Sequence, residues 1–451
     1  MARVCVIDVP GLSRKLMHAI PAESSLAKWI ATKNVVGLTP TWPAVTCSMQ
    51  ATLTTGVPPS KHGIIANGIA TSRSLEDQRL IDPSSFAEYR REVSFWEQSN
   101  QLVESPRFWQ DASGKSKWKT AMLFFQNSMP GFIEPHRPAA DIVVTPKPEH
   151  GPDGKITSLL WAQPRELVEQ LFAELGPFPL MNYWGPLAKI DSSRWIARAA
   201  AHVWIKHDPQ LQLVYIPHLD YDLQRFGPDS PQATQAVIDL AAVLAPLVDT
   251  VIESGGEVVL LSEYSMNSVD RFVQPNRLLR EAGLLVTRDT PDGELIDYNG
   301  STAFAMVDHQ IAHVYTRSTD AKTQAAAVLK SDLVRFIDPS TVGVHHRRAG
   351  DLVLETTPNA WFDYRWWESP CDAPVFAKEV DIHRKPGYDP CELFFDPPTR
   401  GITQDPSRIR GSHGTVGDGE AIVVGKLAAI SRATTVHATE VAGLVSRLLA
   451  G

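Results

Sequence analysis

Short apolar runs that stop at a polar residue recur along this chain. The first, Arg3 to Ile7, is rich in β-branched side chains and ends at Asp8. Residues 119–125, 211–217 and 257–262 repeat the pattern, the last running into Glu263. Continuous rather than alternating apolar runs of this length predict strands covered on both faces, as in a parallel sheet. Between them lie patterns of helical period. Ser230 followed by Pro231 predicts a helix start, and Gly255-Gly256 predict its end just after Ser254. Pro246, inside that span, predicts a kink. Strands alternating with helices predict an α/β fold.

The texture changes between about 70 and 205. Seven of the 12 Trp lie there (Trp96, Trp109, Trp118, Trp161, Trp184, Trp195 and Trp204), and proline is frequent from Pro130 to Pro179. This reads as a region containing an inserted cap, with the Trp-rich segments forming the cap's own core. Residues 335–412 read as a loop-rich excursion returning to the sheet edge. The expected organisation is one domain over 1–451 carrying both features.

Charge narrows the function classes. The chain has 451 residues and a formal net charge of −8. That balance argues against a nucleic acid polymer or an anionic membrane surface as partner. No unbroken run of 18 apolar residues occurs, so no membrane span is expected. The N-terminus lacks the pattern of a signal peptide. The four cysteines, Cys5, Cys47, Cys371 and Cys391, show neither metal-knuckle nor disulfide-framework spacing. A soluble protein of the cytoplasm is the expectation.

In open parallel sheets ligands bind beyond the carboxyl ends of the strands. Asp8, Asp220 and Glu263 all follow apolar runs. Three carboxylates at one edge would repel, and divalent cations are the usual physical remedy. The richest segment runs from Thr39-Pro-Thr-Trp-Pro-Ala-Val-Thr46 through Thr55-Gly56 to His62-Gly63-Ile64 and Asn67. A Thr opening a helix sits in a field that favours an anion. A metal on its oxygen would make the alkoxide available. The plainer reading is that Thr46 is an N-cap.

This segment resembles the type I phosphodiesterase/nucleotide pyrophosphatase branch of the alkaline phosphatase superfamily, which has a helix-opening Thr, Thr-Gly at the helix end, Pro-x-x-His-Gly-Ile and an Asn in this order. The resemblance implies a mostly parallel central sheet with helices on both faces and an inserted cap. It implies two divalent metal ions (Mn, Zn or Mg) and a small phosphoryl substrate; oligomeric state stays open. Thr46 would be nucleophile and metal ligand, and Asn67 would donate to a phosphoryl oxygen. Asp8 matches a metal ligand, Asp220 the Asp of the family's Pro-Asp-x-x-Gly-His motif, and His413 its late His. The segment from Asn276 to Leu285 is similar to the helix after the metal motif.

The match has departures. The motif's His is Gln224 here, and the family's Asp-His pair is Glu263-Tyr264. Losing imidazole shifts preference towards harder ions. Gln224 and Tyr264 still offer oxygens; alternatively His383 and Asp389, in a Pro/Gly-rich loop, take over as ligands. Leu219-Asp220-Tyr-Asp-Leu-Gln224 and Ser262-Glu263-Tyr264 resemble a bacterial subgroup, so the changes read as a variant site. Weaker candidates are His218, the histidines of Asp308-His309-Gln-Ile-Ala-His313 (which alternates like a strand), the basic run His345-His346-Arg347-Arg348, and Lys147.

The leading expectation is a two-metal phosphodiesterase or nucleotide pyrophosphatase. A phosphonate hydrolase or phosphomonoesterase on the same site is the alternative within enzymes. A non-catalytic phosphoryl-ligand-binding member is the alternative outside them. A dinucleotide-dependent oxidoreductase is set aside, since no GxGxxG follows a strand.

Overall fold

The computed structural model describes residues 2–451 except 71–92, 97, 112, 132–136, 151–155, 292, 381–384, 386–387, 390, 392, 399, 418–419 and 427–433. The strands that position the site are β1 (Val4–Asp8), β2 (Asn34–Thr39), β3 (Thr120–Leu123), β4 (Ile142–His150), β5 (Ile156–Gln163), β6 (Leu211–Tyr215) and β7 (Glu257–Leu261). There follow β8 (Ala303–Asp308), β9 (Ile311–Thr316), β10 (Val334–Ile337), β11 (Leu352–Thr356), β12 (Ala421–Gly425) and β13 (Thr435–His437).

One nine-stranded sheet has the order β13-β2-β12-β7-β1-β6-β3-β4-β5. Its centre is parallel: β1 pairs parallel with β6 and β7, and β3 with β6 and β4. Antiparallel β12 sits between β7 and β2. Every residue of β1 and β6 is buried, as unbroken apolar runs covered on both faces require. Three of the strands, β3 to β5, lie within the Trp-rich span of 70–205. A smaller antiparallel sheet, β8-β9-β11-β10, has its own apolar core around Val314, Leu354 and Trp366.

Four helices matter for the site: α1 (Thr46–Thr55), α2 (His218–Phe226), α3 (Pro231–Glu253) and α4 (Ala438–Ala450). α1 ends at Gly56, whose φ of 75° is left-handed and whose missing Cβ admits Ala442 of α4; an added Cβ would lie 3.2 Å from that residue's own. α3 is capped by Ser230, which accepts from Ala233 N at 3.1 Å, and it continues through Pro246 to Glu253. By length and composition α3 is apolar enough to cross a membrane. Its Val237, Leu240, Leu244 and Val248 are packed in the main core.

Candidate active site

The sheet register gathers the acidic groups. Asp8 closes β1 level with Tyr215 of β6 and Leu261 of β7. Glu263 lies two residues beyond that rung, and Asp220 sits in the first turn of α2, the helix that follows β6. All three carboxylates reach the same edge, and all are buried. Asp8 Oδ1 and both oxygens of Glu263 accept no well-formed hydrogen bond among the described residues. Burial pushes the Asp8 carboxyl up to about 7. Burial, then the adjacent Asp8 charge, push Glu263 well above the usual range. Buried carboxylates without donors demand either protons or a cation. This donor set fits a divalent ion.

Thr46 belongs to the same cluster. Val45 is the N-cap of α1, with extended backbone, so Thr46 is the first helical residue and does not cap its own helix. Its Oγ1 lies 3.1 Å from the Tyr264 hydroxyl, which donates to Asp220 Oδ1 at 3.2 Å. The plain N-cap reading of Thr46 therefore fails. One turn on, Gln50 donates to Asp8 Oδ2 at 3.5 Å and accepts from Gln126 N at 2.7 Å. No motif in the sequence singles out Gln50, although a buried polar residue at i+4 from Thr46 marks the same helix face.

Three bonds tie Asn67 to α1 and to Asp308. Asn67 Oδ1 accepts from Cys47 N at 2.8 Å, satisfying a helix-start N–H of α1. Its own N donates to Asp308 Oδ2 at 2.7 Å and its Nδ2 to Asp308 Oδ1 at 3.1 Å. The Cys47 contact fixes the amide orientation, and the second Nδ2 proton remains for a ligand. His62 of the same motif is a fastener rather than a ligand. It meets the Thr52 hydroxyl at 3.0 Å and accepts from Ile64 N at 3.1 Å.

On the other side of Thr46, Gln224 donates to Asp220 Oδ2 at 2.5 Å. His413 stacks on Tyr264 with ring centroids 3.9 Å apart and planes at 5°. His413 Nδ1 bonds the Ala44 carbonyl at 2.9 Å, so Nδ1 carries the proton; bare Nε2 stands 3.9 Å from Asp220 Oδ1. Burial raises Asp220 to about 6 and, with the charge of His309 next, lowers His413 well below the usual imidazole range.

The histidines of the 308–313 run do not share one strand face. His313 lies in β9, against the Ile65 carbonyl at 3.2 Å, whereas His309 sits in the hairpin turn with φ 55° and reaches the site. His309 Nε2 is 3.2 Å from Asp389 Oδ2. Burial opposes its charge, but the neighbouring Cys391 and Asp389 outweigh that and hold it well above the ordinary imidazole range. Asp308, His309 and Asp389 each bring a ligand atom within 4.8 Å of the others. Sequence pattern alone gives Asp308 no role in the site and ranks His309 low, because a turn-borne side chain has no periodicity to betray it.

Of the remaining candidates, His383 lies outside the described residues. His218 Nε2 faces Asp222 at 3.7 Å. The basic run does not face the site: His346, Arg347 and Arg348 converge on Glu104 at 3.0, 2.7 and 2.8 Å. Lys147 pairs with Glu149 at 3.5 Å on the surface. Trp96 is not cap core: with Trp184, whose ring is 6.1 Å away, it lines a cavity of about 40 Å³ that Thr46, Tyr221 and His309 share. The Trp96 indole donates to Asp389 Oδ1 at 3.2 Å.

Comparison with known proteins bears on the fold and the family. No curated protein matches the sequence. Among solved structures, murine ectonucleotide pyrophosphatase/phosphodiesterase 5 in complex with AMP superposes with a TM-score of 0.59 at 12% identity, covering 100% of this chain and 95% of that one. Its human counterpart gives 0.59 at 13%, covering 99% and 95%. Phosphonoacetate hydrolase from Sinorhizobium meliloti, with phosphonoformate, gives 0.58 at 14%, covering 99% and 96%. These likenesses concern the fold, which is that of the alkaline phosphatase superfamily. The model of the type I phosphodiesterase/nucleotide pyrophosphatase family matches residues 4–389, so the chain belongs to that family of phosphoric ester hydrolases.

Proposed function

We propose that this chain is a metal-dependent hydrolase of small phosphoryl compounds, of phosphodiesterase or nucleotide pyrophosphatase type, with Thr46 as nucleophile. The observation that carries the reading is the Thr46 hydroxyl, held at the buried start of α1 beside Asp8 and Glu263, three of whose carboxylate oxygens accept no well-formed hydrogen bond among the described residues, instead of capping its helix. Asp8, Glu263 and Thr46 would hold one divalent ion, and Asp220 with His413 would contribute to a second. When bound, the ions would lower the pKa of the Thr46 hydroxyl and offset negative charge on the phosphoryl group.

The protein's own groups do the rest. The Tyr264 phenol donates to Asp220, so the Thr46 proton points to the Tyr264 oxygen, and the two hydroxyls lead that proton away from the attacking atom. The positive end of α1 favours an anion in front of Thr46. Asn67, locked by Asp308 and Cys47, directs its spare Nδ2 proton at a phosphoryl oxygen. Thr46 Oγ1 forms the bond to phosphorus as the leaving alcohol or phosphate departs; water then attacks the same phosphorus, the Thr46 Oγ1–phosphorus bond breaks, and the remaining phosphate monoester leaves with the Thr46 hydroxyl restored.

The small Trp96–Trp184 cavity supports a second reading, hydrolysis of a compact phosphonate such as the ligand type seen in the phosphonoacetate hydrolase complex. A panel of phosphodiesters, nucleotides, phosphomonoesters and phosphonates, assayed for product release after loading with Mn²⁺ or Zn²⁺, tests both. Turnover of a diester or nucleotide, lost in Thr46→Ala, is the expected result. Turnover of phosphonates alone favours the second reading, and turnover unchanged in Thr46→Ala excludes the nucleophile.

A further inference from the structure

The turn between β8 and β9 is built with unusual care. His309 and Gln310 are its two loop residues, and His309 takes a left-handed φ of 55°, which costs a non-glycine residue strain. Gln310 holds the turn. Its Oε1 accepts from Asn267 Nδ2 at 2.7 Å, its Nε2 donates to the Ala360 carbonyl at 2.8 Å, and its backbone N donates to His413 O at 2.9 Å. The carbonyl of His309 accepts from Phe362 N at 2.7 Å. The turn is thus tied directly to the backbone of His413, and it lays the His309 ring on the His413 ring, centroids 3.9 Å apart and planes at 33°.

Four side chains that carry ligand-type atoms, Asp220, His309, Asp389 and His413, line one cavity here. His413 presents a bare Nε2 towards Asp220 because its Nδ1 proton is given to the Ala44 carbonyl, the support commonly found behind metal-binding histidines. His309 Nε2 faces Asp389 Oδ2 at 3.2 Å. Asp389 is more than nine-tenths buried, its Oδ2 accepts no well-formed hydrogen bond among the described residues, and it lines the cavity beside Asp220. Its other oxygen is steadied by the Trp96 indole. Gln224, where the family motif has His, spends its amide N–H on Asp220 and so orients that carboxylate.

We infer that His309 and Asp389, together with Asp220 and His413, hold a divalent cation, the turn-borne imidazole replacing the one the motif helix has lost at Gln224. The inference rests on the reading of the chain as a metal-dependent hydrolase and deepens it. It also separates the two ions chemically. Asp8, Thr46 and Glu263 offer only oxygens, which suits Mg²⁺ or Mn²⁺; two imidazoles and two carboxylates suit Zn²⁺. Asp308, with both oxygens on Asn67, links the His309 turn to the phosphoryl-binding amide.

The test is metal content of the full-length chain, stripped with chelator, equilibrated with Zn²⁺ and desalted, alongside anomalous scattering at the zinc edge from wild-type crystals. The expected result is a zinc peak about 2.0–2.2 Å from His309 Nε2 and from an Asp389 oxygen. In His309→Ala and in near-isosteric Asp389→Asn, zinc content falls by one ion per chain while far-UV circular dichroism matches wild type. A peak on Gln224 that leaves His309 and Asp389 untouched, or both variants retaining the full wild-type zinc content, overturns the assignment and leaves the proposed function standing. An ion retained by His309→Ala and lost in Glu263→Gln, with no second peak, also overturns this site alone. No zinc, manganese or magnesium bound to any of these proteins overturns the metal-dependent reading beneath it.

Discussion

Thr46 Oγ1 and the Tyr264 hydroxyl stand 3.1 Å apart, and the phenol donates a hydrogen bond to Asp220. The Tyr264 ring is stacked on His413 and is nearly inaccessible to solvent. Tyr264→Phe keeps the stack and removes only the oxygen. We expect kcat to fall roughly 10²-fold, the usual size of a lost proton-handling group. Stability should change by about 1 kcal/mol. Steady-state kinetics beside urea denaturation check this; an unchanged kcat would remove Tyr264 from the reaction.

Asn67 is placed by bonds at both ends of its side chain. Asn67→Ala should reduce kcat by roughly 10²–10³-fold, the scale for one lost donor to a developing oxyanion. The loss should appear in kcat more than in KM, because the ground-state phosphoryl group needs the donor less. Asp308→Asn should weaken the same step more mildly, since one oxygen still accepts from Asn67. A raised KM with kcat unchanged would instead mean that Asn67 holds the substrate uniformly.

The metal-free chain should have a distinctive pH profile. Burial raises Asp8 and Asp308 to about 7 and Asp220 to about 6, so each binds its proton more tightly folded than unfolded. Their stabilisation is complete below the unfolded carboxyl range and is lost as pH rises through about 6–7. Burial lowers His62 to about 3 and His313 to about 4, which acts in the opposite direction but only below about pH 6.5, where free histidine protonates. Between about pH 6.5 and 8 the carboxyls act unopposed. Thermal unfolding of chelator-treated protein should therefore show Tm falling across that window, and added Mn²⁺ should abolish the fall. A flat metal-free profile would mean that the carboxyl cluster is neutralised in some other way.

Much of this is readable in the sequence because it is periodic or local. Unbroken apolar runs ending in Asp8 and before Glu263 locate the strand ends, and the Thr46 to Asn67 spacing locates α1 and the loop beyond it. His309 is not readable in that way. Its place depends on a left-handed turn held by Gln310 through Asn267, Thr415 and Ala360, residues 43 to 105 positions away in sequence, or 50 for Ala360. The alternation of Asp308 to His313 suggests a strand face, and the turn overrides it. Trp96 likewise reads as cap filling, whereas its indole lies on Asp389. Gln50 is within reach of the sequence: a polar residue one turn from Thr46, on a helix whose other positions are also almost all buried.

The central claim is that Thr46 becomes covalently attached to phosphorus, and the stereochemical course of the reaction tests it most directly. Hydrolysis in ¹⁸O-labelled water of a diester made chiral at phosphorus with sulfur and oxygen isotopes should proceed with overall retention, because two in-line displacements each invert. Net inversion would mean that water attacks the substrate directly, and would contradict the account.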